Sequence, residues 1–199
     1  MSRIITIGRE FGSGGREVGR RLAEKLNIAY YDYEIVLELA KRTHFTEEYI
    51  RQIEESPSIP LLPITIGRTF SPQLYPMVEQ NHSVYIEQSN IIREMAGKSD
   101  CVIVGRCADS ILQSKLPLRL FVYASMDFKI ARCREKGGNS ECLTDRELKQ
   151  QILSIDKRRS KYYQLHTDQT WGDKSNYDLC INTTFVNIKD IVCSIAMSV

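Results

Sequence analysis

The stretch ITIGREFGSGGREVGRRLAEKL, Ile5–Leu26, decides how this chain reads. It opens on a short apolar, β-rich run. Gly12, Gly14 and Gly15 follow, and then Val18, Leu22 and Leu26 recur on one helical face with Ala23 beside them. A strand, a glycine turn and a helix in that order form an anion site, because successive backbone N–H groups and the positive end of the helix face phosphate oxygens. Glycine supplies the positive φ and the close backbone approach that such a turn needs. Gly12, Ser13, Gly14, Gly15, Arg16 and Glu17 are therefore the candidate donor-phosphate loop.

The usual phosphate-loop lysine is missing. The strict pattern G-x-x-x-x-G-K-[ST] fits in two registers, neither complete. With Gly14 as its sixth residue, Arg9 comes first, Gly15 takes the lysine position and Arg16 the hydroxyl position. With Gly15 sixth, Glu10 comes first, Arg16 takes the lysine position and Glu17 the hydroxyl position. The second register keeps a cation where the lysine belongs and a carboxylate able to hold Mg²⁺, and is preferred on chemical grounds. It makes Arg16 the candidate lysine substitute and Glu17 the candidate metal ligand. One sequence does not fix the register.

Outward from this stretch, strand-like and helical runs alternate. The further strand candidates are Asn27–Asp32, Cys101–Gly105, Leu118–Ala124 and Tyr177–Thr183. Helical runs are expected at Tyr33–Thr43, from Thr46 as an N-cap, from about Asn81 to Gly97, from Met126, over the stretch ending near Tyr163, and at the end of the chain. Five of the six prolines fall between Pro57 and Pro76, which reads as a long irregular excursion. Alternating strands and helices imply a parallel sheet with helices on both faces.

Bulk properties narrow the class. The chain has 199 residues, 42% apolar and 26% charged, with a net charge of +2. That suits one globular domain and argues against general nucleic-acid binding. No apolar run approaches a membrane span, and the start MSRIITIG lacks a signal-peptide layout, so the expected location is the cytoplasm. Cys101, Cys107, Cys133, Cys142, Cys180 and Cys193 include no C-x-x-C pair. Most of them read as small buried hydrophobes, and a zinc site is not expected.

Taken together, ITIGREFGSGGREVGRRLAEKL, YYDYE, CVIVGRCADSIL, LFVYASMDFKIARCREK and WGDKSNYDLCINT resemble the cytidylate-kinase-like family, a divergent branch of the P-loop nucleoside monophosphate kinases. The segments occur in the family's order and cover nearly the full length. The resemblance implies a P-loop NTPase-type three-layer α/β/α fold with a parallel five-stranded sheet, all in one domain spanning 1–199. It implies an acceptor-binding insertion at about 33–98 and a basic LID at about 132–163. It also implies ATP as donor, Mg²⁺ bridging phosphates, and CMP or dCMP as acceptor, in a monomer or homodimer. A G-S-G-G-R loop without lysine is ordinary in this family.

Phosphoryl transfer requires in-line positioning and cations matched to spreading charge more than covalent help. Arg106, in VGRCAD, follows a buried-type strand, and the resemblance assigns it the acceptor phosphate. The resemblance assigns Asp32, in YYDYE, to the acceptor nucleoside pocket; Arg68, in the proline-rich excursion, is a further candidate for the acceptor phosphate. Arg132, Arg134, Arg158 and Arg159 flank the LID and are the candidates for closing over the phosphates, since a planar guanidinium matches phosphate oxygens. Asp109 reads as a helix-start carboxylate. Trp171 either borders a base or staples the last strand, and the turn composition around it favours the second. His44, His82 and His166 have no nucleophile partner pattern, so none is read as catalytic.

Overall fold

The computed structural model describes residues 3–50, 74–136 and 143–199, with side chains described from residue 82 onward in the second stretch. Arg68 and Cys142 lie outside the described residues. Five strands, β1 (Ile4–Arg9), β2 (Ala29–Tyr31), β3 (Cys101–Val104), β4 (Leu118–Tyr123) and β5 (Leu179–Asn182), form one sheet in the order β2-β3-β1-β4-β5. All four pairings are parallel. The helices include α1 (Gly15–Leu26), α2 (Tyr33–Arg42), α3 (Leu74–Lys98), the short α4 (Ala108–Ile111), α5 (Met126–Glu135), α6 (Asp145–Thr167) and α7 (Ile188–Met197). This is the expected α/β architecture.

Alternation along the strands sorts the core into two layers. Ile5, Ile7, Val102, Val104, Leu120 and Val122 face α1 and α7, where they meet Val18, Leu22, Val192 and Ile195. Ile4, Cys101 and Ile103 face the opposite side and pack with Ile35, Leu39, Ile91, Ile92 and Tyr162. Leu22 is fully buried. Truncating such a residue to alanine typically costs about 2–5 kcal/mol.

Helix ends follow local chemistry. Asn27 stops α1 in the left-handed region at φ 53, where asparagine is tolerated, and its N–H reaches the carbonyls of Ala23 and Glu24. Ser125 caps α5, and Thr144 with Glu147 forms a capping box on α6. The Thr46 hydroxyl accepts from the Tyr49 amide, as its N-cap reading requires.

Some sequence-based boundaries move. α3 begins at Leu74, inside the stretch read as irregular, and holds Pro76 in its first turn. Proline is harmless there, because first-turn amides have no intrahelical acceptor. Cys101 and Cys107 are buried as expected, but Cys133 and Cys193 are only partly buried and Cys180 is exposed. Its strand is the sheet's last, so only one edge of β5 is paired. Among the described residues no helix is long and apolar enough to cross a membrane.

Candidate phosphate-binding site

Parallel strands point their carboxyl ends to one side of the sheet, and open α/β sheets bind ligands along that edge. β1 ends at Arg9, the loop spans residues 10–14, and α1 starts at Gly15. Gly12 and Gly14 hold φ values of +77 and +89, a conformation that side chains bearing a Cβ rarely adopt. The first α1 hydrogen bond runs from the Val18 amide to the Gly14 carbonyl, 3.0 Å. The amides of Gly15, Arg16 and Glu17 precede it and have no carbonyl acceptor within the helix.

The loop is braced by contacts within the protein. The Glu10 amide donates to the Val122 carbonyl at 2.9 Å. The Phe11 amide donates to Asp156 Oδ1 at 2.7 Å, and the Thr183 hydroxyl to the Ser13 carbonyl at 2.7 Å. Lys129 Nζ bridges Glu10, 2.9 Å, and Asp156, 3.3 Å. Ser13 is buried and its hydroxyl donates to the Glu10 carbonyl at 2.9 Å, so its side chain closes the loop from within.

Two clefts flank this loop. One, of about 360 Å³, is lined by loop residues together with Arg132, Cys133, Lys136, Leu148, Gln151 and Arg159. The other, about 70 Å³, is lined by Gly105, Arg106, Asp109, Tyr162, Trp171 and Tyr177, among others. Arg9, Arg16 and Arg159 line both.

The expected site residues fall into three groups. Asp32, Arg16 and Arg106 come together: Arg16 Nε lies 2.8 Å and Arg106 NH1 3.2 Å from the Asp32 carboxylate, and Arg9 NH2 lies 3.8 Å away. Burial alone would raise the Asp32 carboxyl, but Arg9, Arg106 and Arg16 outweigh it and hold it below the usual carboxylate range. Arg106 sits in the left-handed region at φ 57, and its guanidinium also donates to the Val104 carbonyl.

Glu17, Arg132 and Arg159 form the second group, over the larger cleft. Glu17 accepts from Arg132 at 2.5 Å and from Arg21 at 2.8 Å, with Lys136 Nζ at 3.4 Å. Burial opposes its ionisation, yet hydrogen bonds from Arg132 and Arg21 push its carboxyl down to about 2. Arg159 donates to the Arg9 carbonyl at 3.2 Å and lies 5.7 Å from the Phe11 ring centre.

Arg134 and Arg158 make the third group, which lines neither cleft. Arg134 turns to the start of α6, donating to the Leu143 carbonyl at 2.7 Å and to Asp145 at 2.6 Å. Asp109 sits in the first turn of α4 and accepts from the Tyr163 hydroxyl at 2.6 Å. Trp171 packs edge-on against Phe121, 5.2 Å between centres, and also lines the smaller cleft.

Sequence reasoning left out Lys129 and Asp156, which brace the loop, because nothing in their helices marks them among other charged positions. It also left out Arg9. The signal was present in the first of the two registers, where Arg9 takes the position ordinarily held by glycine.

Among the described residues no group of three or more His, Cys, Asp or Glu side chains is placed to hold a metal ion. Both Glu17 oxygens are taken by arginines. This arrangement does not fit a magnesium ion held by protein side chains at Glu17.

The chain matches the cytidylate kinase-like family over residues 4–185. It is similar to the solved structure of an uncharacterized protein from Eubacterium ventriosum, with 28% identity, a TM-score of 0.70, and 98% of this chain and 97% of that one covered. It is also similar in fold to shikimate kinase from Bacteroides thetaiotaomicron, with 16% identity, a TM-score of 0.60, and 100% and 98% covered. A sugar kinase from Janibacter sp. shares the fold at 11% identity and a TM-score of 0.51, with 99% and 94% covered. No match was found among curated proteins.

Proposed function

The chain belongs to the cytidylate kinase-like family, and from that premise we propose that it transfers the γ-phosphoryl group of ATP to a small acceptor, CMP or dCMP. One observation carries this reading: two clefts meet at a shared wall of Arg9, Arg16 and Arg159. A donor in the larger cleft and an acceptor in the smaller one bring their reacting oxygens together at that wall. The transferred group there meets guanidinium groups where negative charge spreads in the transition state.

Within this reading the loop amides from Gly12 to Gly15 hold donor phosphates. Arg132 lies over the loop, its guanidinium 3.4 Å from where a Cβ on Gly14 would stand. Arg106 and Asp32 form the acceptor side. Magnesium travels with the nucleotide, whose phosphates supply its ligands.

A second reading keeps the donor and replaces the acceptor with a non-nucleotide hydroxyl compound. It is favoured by the volume of the smaller cleft, about 70 Å³, which is tight for a nucleoside. ADP release from Mg·ATP, followed with a panel of nucleoside monophosphates, sugars and hydroxy acids, separates the two. Release stimulated by CMP or dCMP supports the first, and release stimulated only by a sugar or hydroxy acid supports the second. ATP binding with no acceptor-dependent release from any member would leave a nucleotide-binding module without turnover, and both would fail.

A further inference from the structure

We propose that Arg9 replaces the absent phosphate-loop lysine, its guanidinium reaching the transferred phosphoryl group through space that Gly15 and Gly105 leave open. The inference rests on the donor role assigned above to the glycine loop.

The helix start settles the register of the loop. α1 begins at Gly15, directly after left-handed Gly14. Gly14 is thus the sixth residue of the pattern, Gly15 stands where the lysine belongs, and Arg9 stands where the first glycine belongs. Arg16 is one residue further along the helix, with 65% of its side chain exposed and its Nε on Asp32.

Glycine and cation have exchanged places for a steric reason. A Cβ on Gly15 would lie 2.4 Å from Arg9 Cβ and 3.0 Å from Arg9 Cγ. A side chain at one position excludes a side chain at the other. Arg9 then runs over Gly105, where a Cβ would lie 1.7 Å from its NH1 and 2.8 Å from its Cζ. The two glycines form a floor under the arginine.

The head group has unused capacity. Arg9 Nε is buried without a hydrogen-bond partner among the described residues. Its ion pair with Asp32 is long, 3.8 Å, and Asp32 already serves Arg16 and Arg106. Arg9, Arg16 and Arg106 surround one carboxylate, a surplus of positive charge that an anion relieves. Burial and the neighbouring Arg159 push Arg9 down to about 9, against the opposing pull of Asp32.

The placement also differs from that of a lysine on the helix. Arg9 enters from the end of β1 and lines both clefts. Its planar fork therefore meets the terminal phosphoryl group, which occupies the junction in an ATP complex and is missing from ADP.

The test is calorimetric binding of a non-hydrolysable ATP analogue and of ADP to wild type, Arg9→Gln, Arg9→Gly and the double variant Arg9→Gly/Gly15→Lys. Arg9→Gln is expected to weaken the ATP analogue by roughly ten- to a hundredfold, the effect of losing a charged hydrogen bond, and ADP by less. The double variant is expected to bind the ATP analogue more tightly than Arg9→Gly, because the lysine stem reoccupies the vacated space. Wild-type affinity retained in Arg9→Gln would overturn the inference while leaving the donor role standing. Failure of wild type to bind either nucleotide would overturn both. If the single variants do not fold, the double variant decides alone: affinity within tenfold of wild type supports the exchange, and no binding refutes it.

Discussion

Arg106 NH1 lies 3.2 Å from Asp32 Oδ1, with both side chains buried and Arg16 closing on the other carboxylate oxygen at 2.8 Å. One anion therefore holds several guanidinium groups at the edge where the acceptor's phosphate is expected. Asp32→Asn keeps the shape and removes the charge. Breaking a buried pair in this way costs about 3–5 kcal/mol, because the cations stay behind uncompensated. Urea unfolding is expected to show that loss. Inorganic phosphate should then stabilise Asp32→Asn more than wild type, since it replaces the missing charge. Equal stabilisation of both proteins would show that the cluster does not select anions.

Arg132 and Arg134 are two residues apart and are expected to behave differently. Arg132 reaches Glu17 across the phosphate loop, whereas Arg134 is tied to Asp145 and the Leu143 carbonyl. Removing a donor aimed at developing charge typically lowers kcat by about 10²–10³-fold. Arg132→Ala is expected in that range. Arg134→Ala should lower kcat less than about tenfold, acting through the start of α6 rather than through the phosphates. Comparable losses in both variants would mean that Arg134 swings into the cleft during turnover.

These contrasts show what was legible in the sequence. The sheet, its five strands and the loop could be read because apolar runs and glycine positions repeat physical rules: continuous burial on both faces, and positive φ between strand and helix. The positions of Arg106 and Asp32, just past the ends of β3 and β2, could be read from the strand pattern, while their roles toward an acceptor belong to the proposed function. The partition of the basic residues could not. Arg132 and Arg134 look alike in ARCREK, and only helix phase sends one to the loop and the other to Asp145. The register of the loop was also hidden, because it depends on which residue starts α1. The contest between Arg9 and Gly15 for one space is a three-dimensional fact with no trace in spacing alone.

Gly14 carries the conformation on which the loop depends. At φ +89 an alanine is strained, and its Cβ would lie 2.8 Å from Ile188 Cδ1. The left-handed backbone costs about 1–2 kcal/mol, and the end of Ile188 must shift. Gly14→Ala is expected to lose about that much stability in thermal or urea unfolding. Its larger effect should be on nucleotide binding, because relieving the strain rotates the amides away from the phosphates. A variant that is destabilised yet binds the ATP analogue with full affinity would remove these amides from the site.

His166 gives the fold a pH-dependent stability. It stacks on Tyr85, 3.8 Å between ring centres, and meets Tyr162 edge-on at 4.6 Å. Burial, with His82 nearby, pushes its imidazole down to about 4 from 6.5. The unfolded chain therefore binds this proton more readily than the folded one. Stability from the neutral imidazole is fully present above about pH 6.5, and it falls progressively as pH drops from 6.5 toward 4. His166→Phe keeps an aromatic ring in the stack and removes the titration. The unfolding midpoints of wild type and His166→Phe should thus diverge below pH 6.5, wild type falling faster, while their difference stays constant between pH 7 and 8. Curves that run parallel down to pH 4.5 would place the imidazole in contact with water and remove it from the packed interface of α3 and α6.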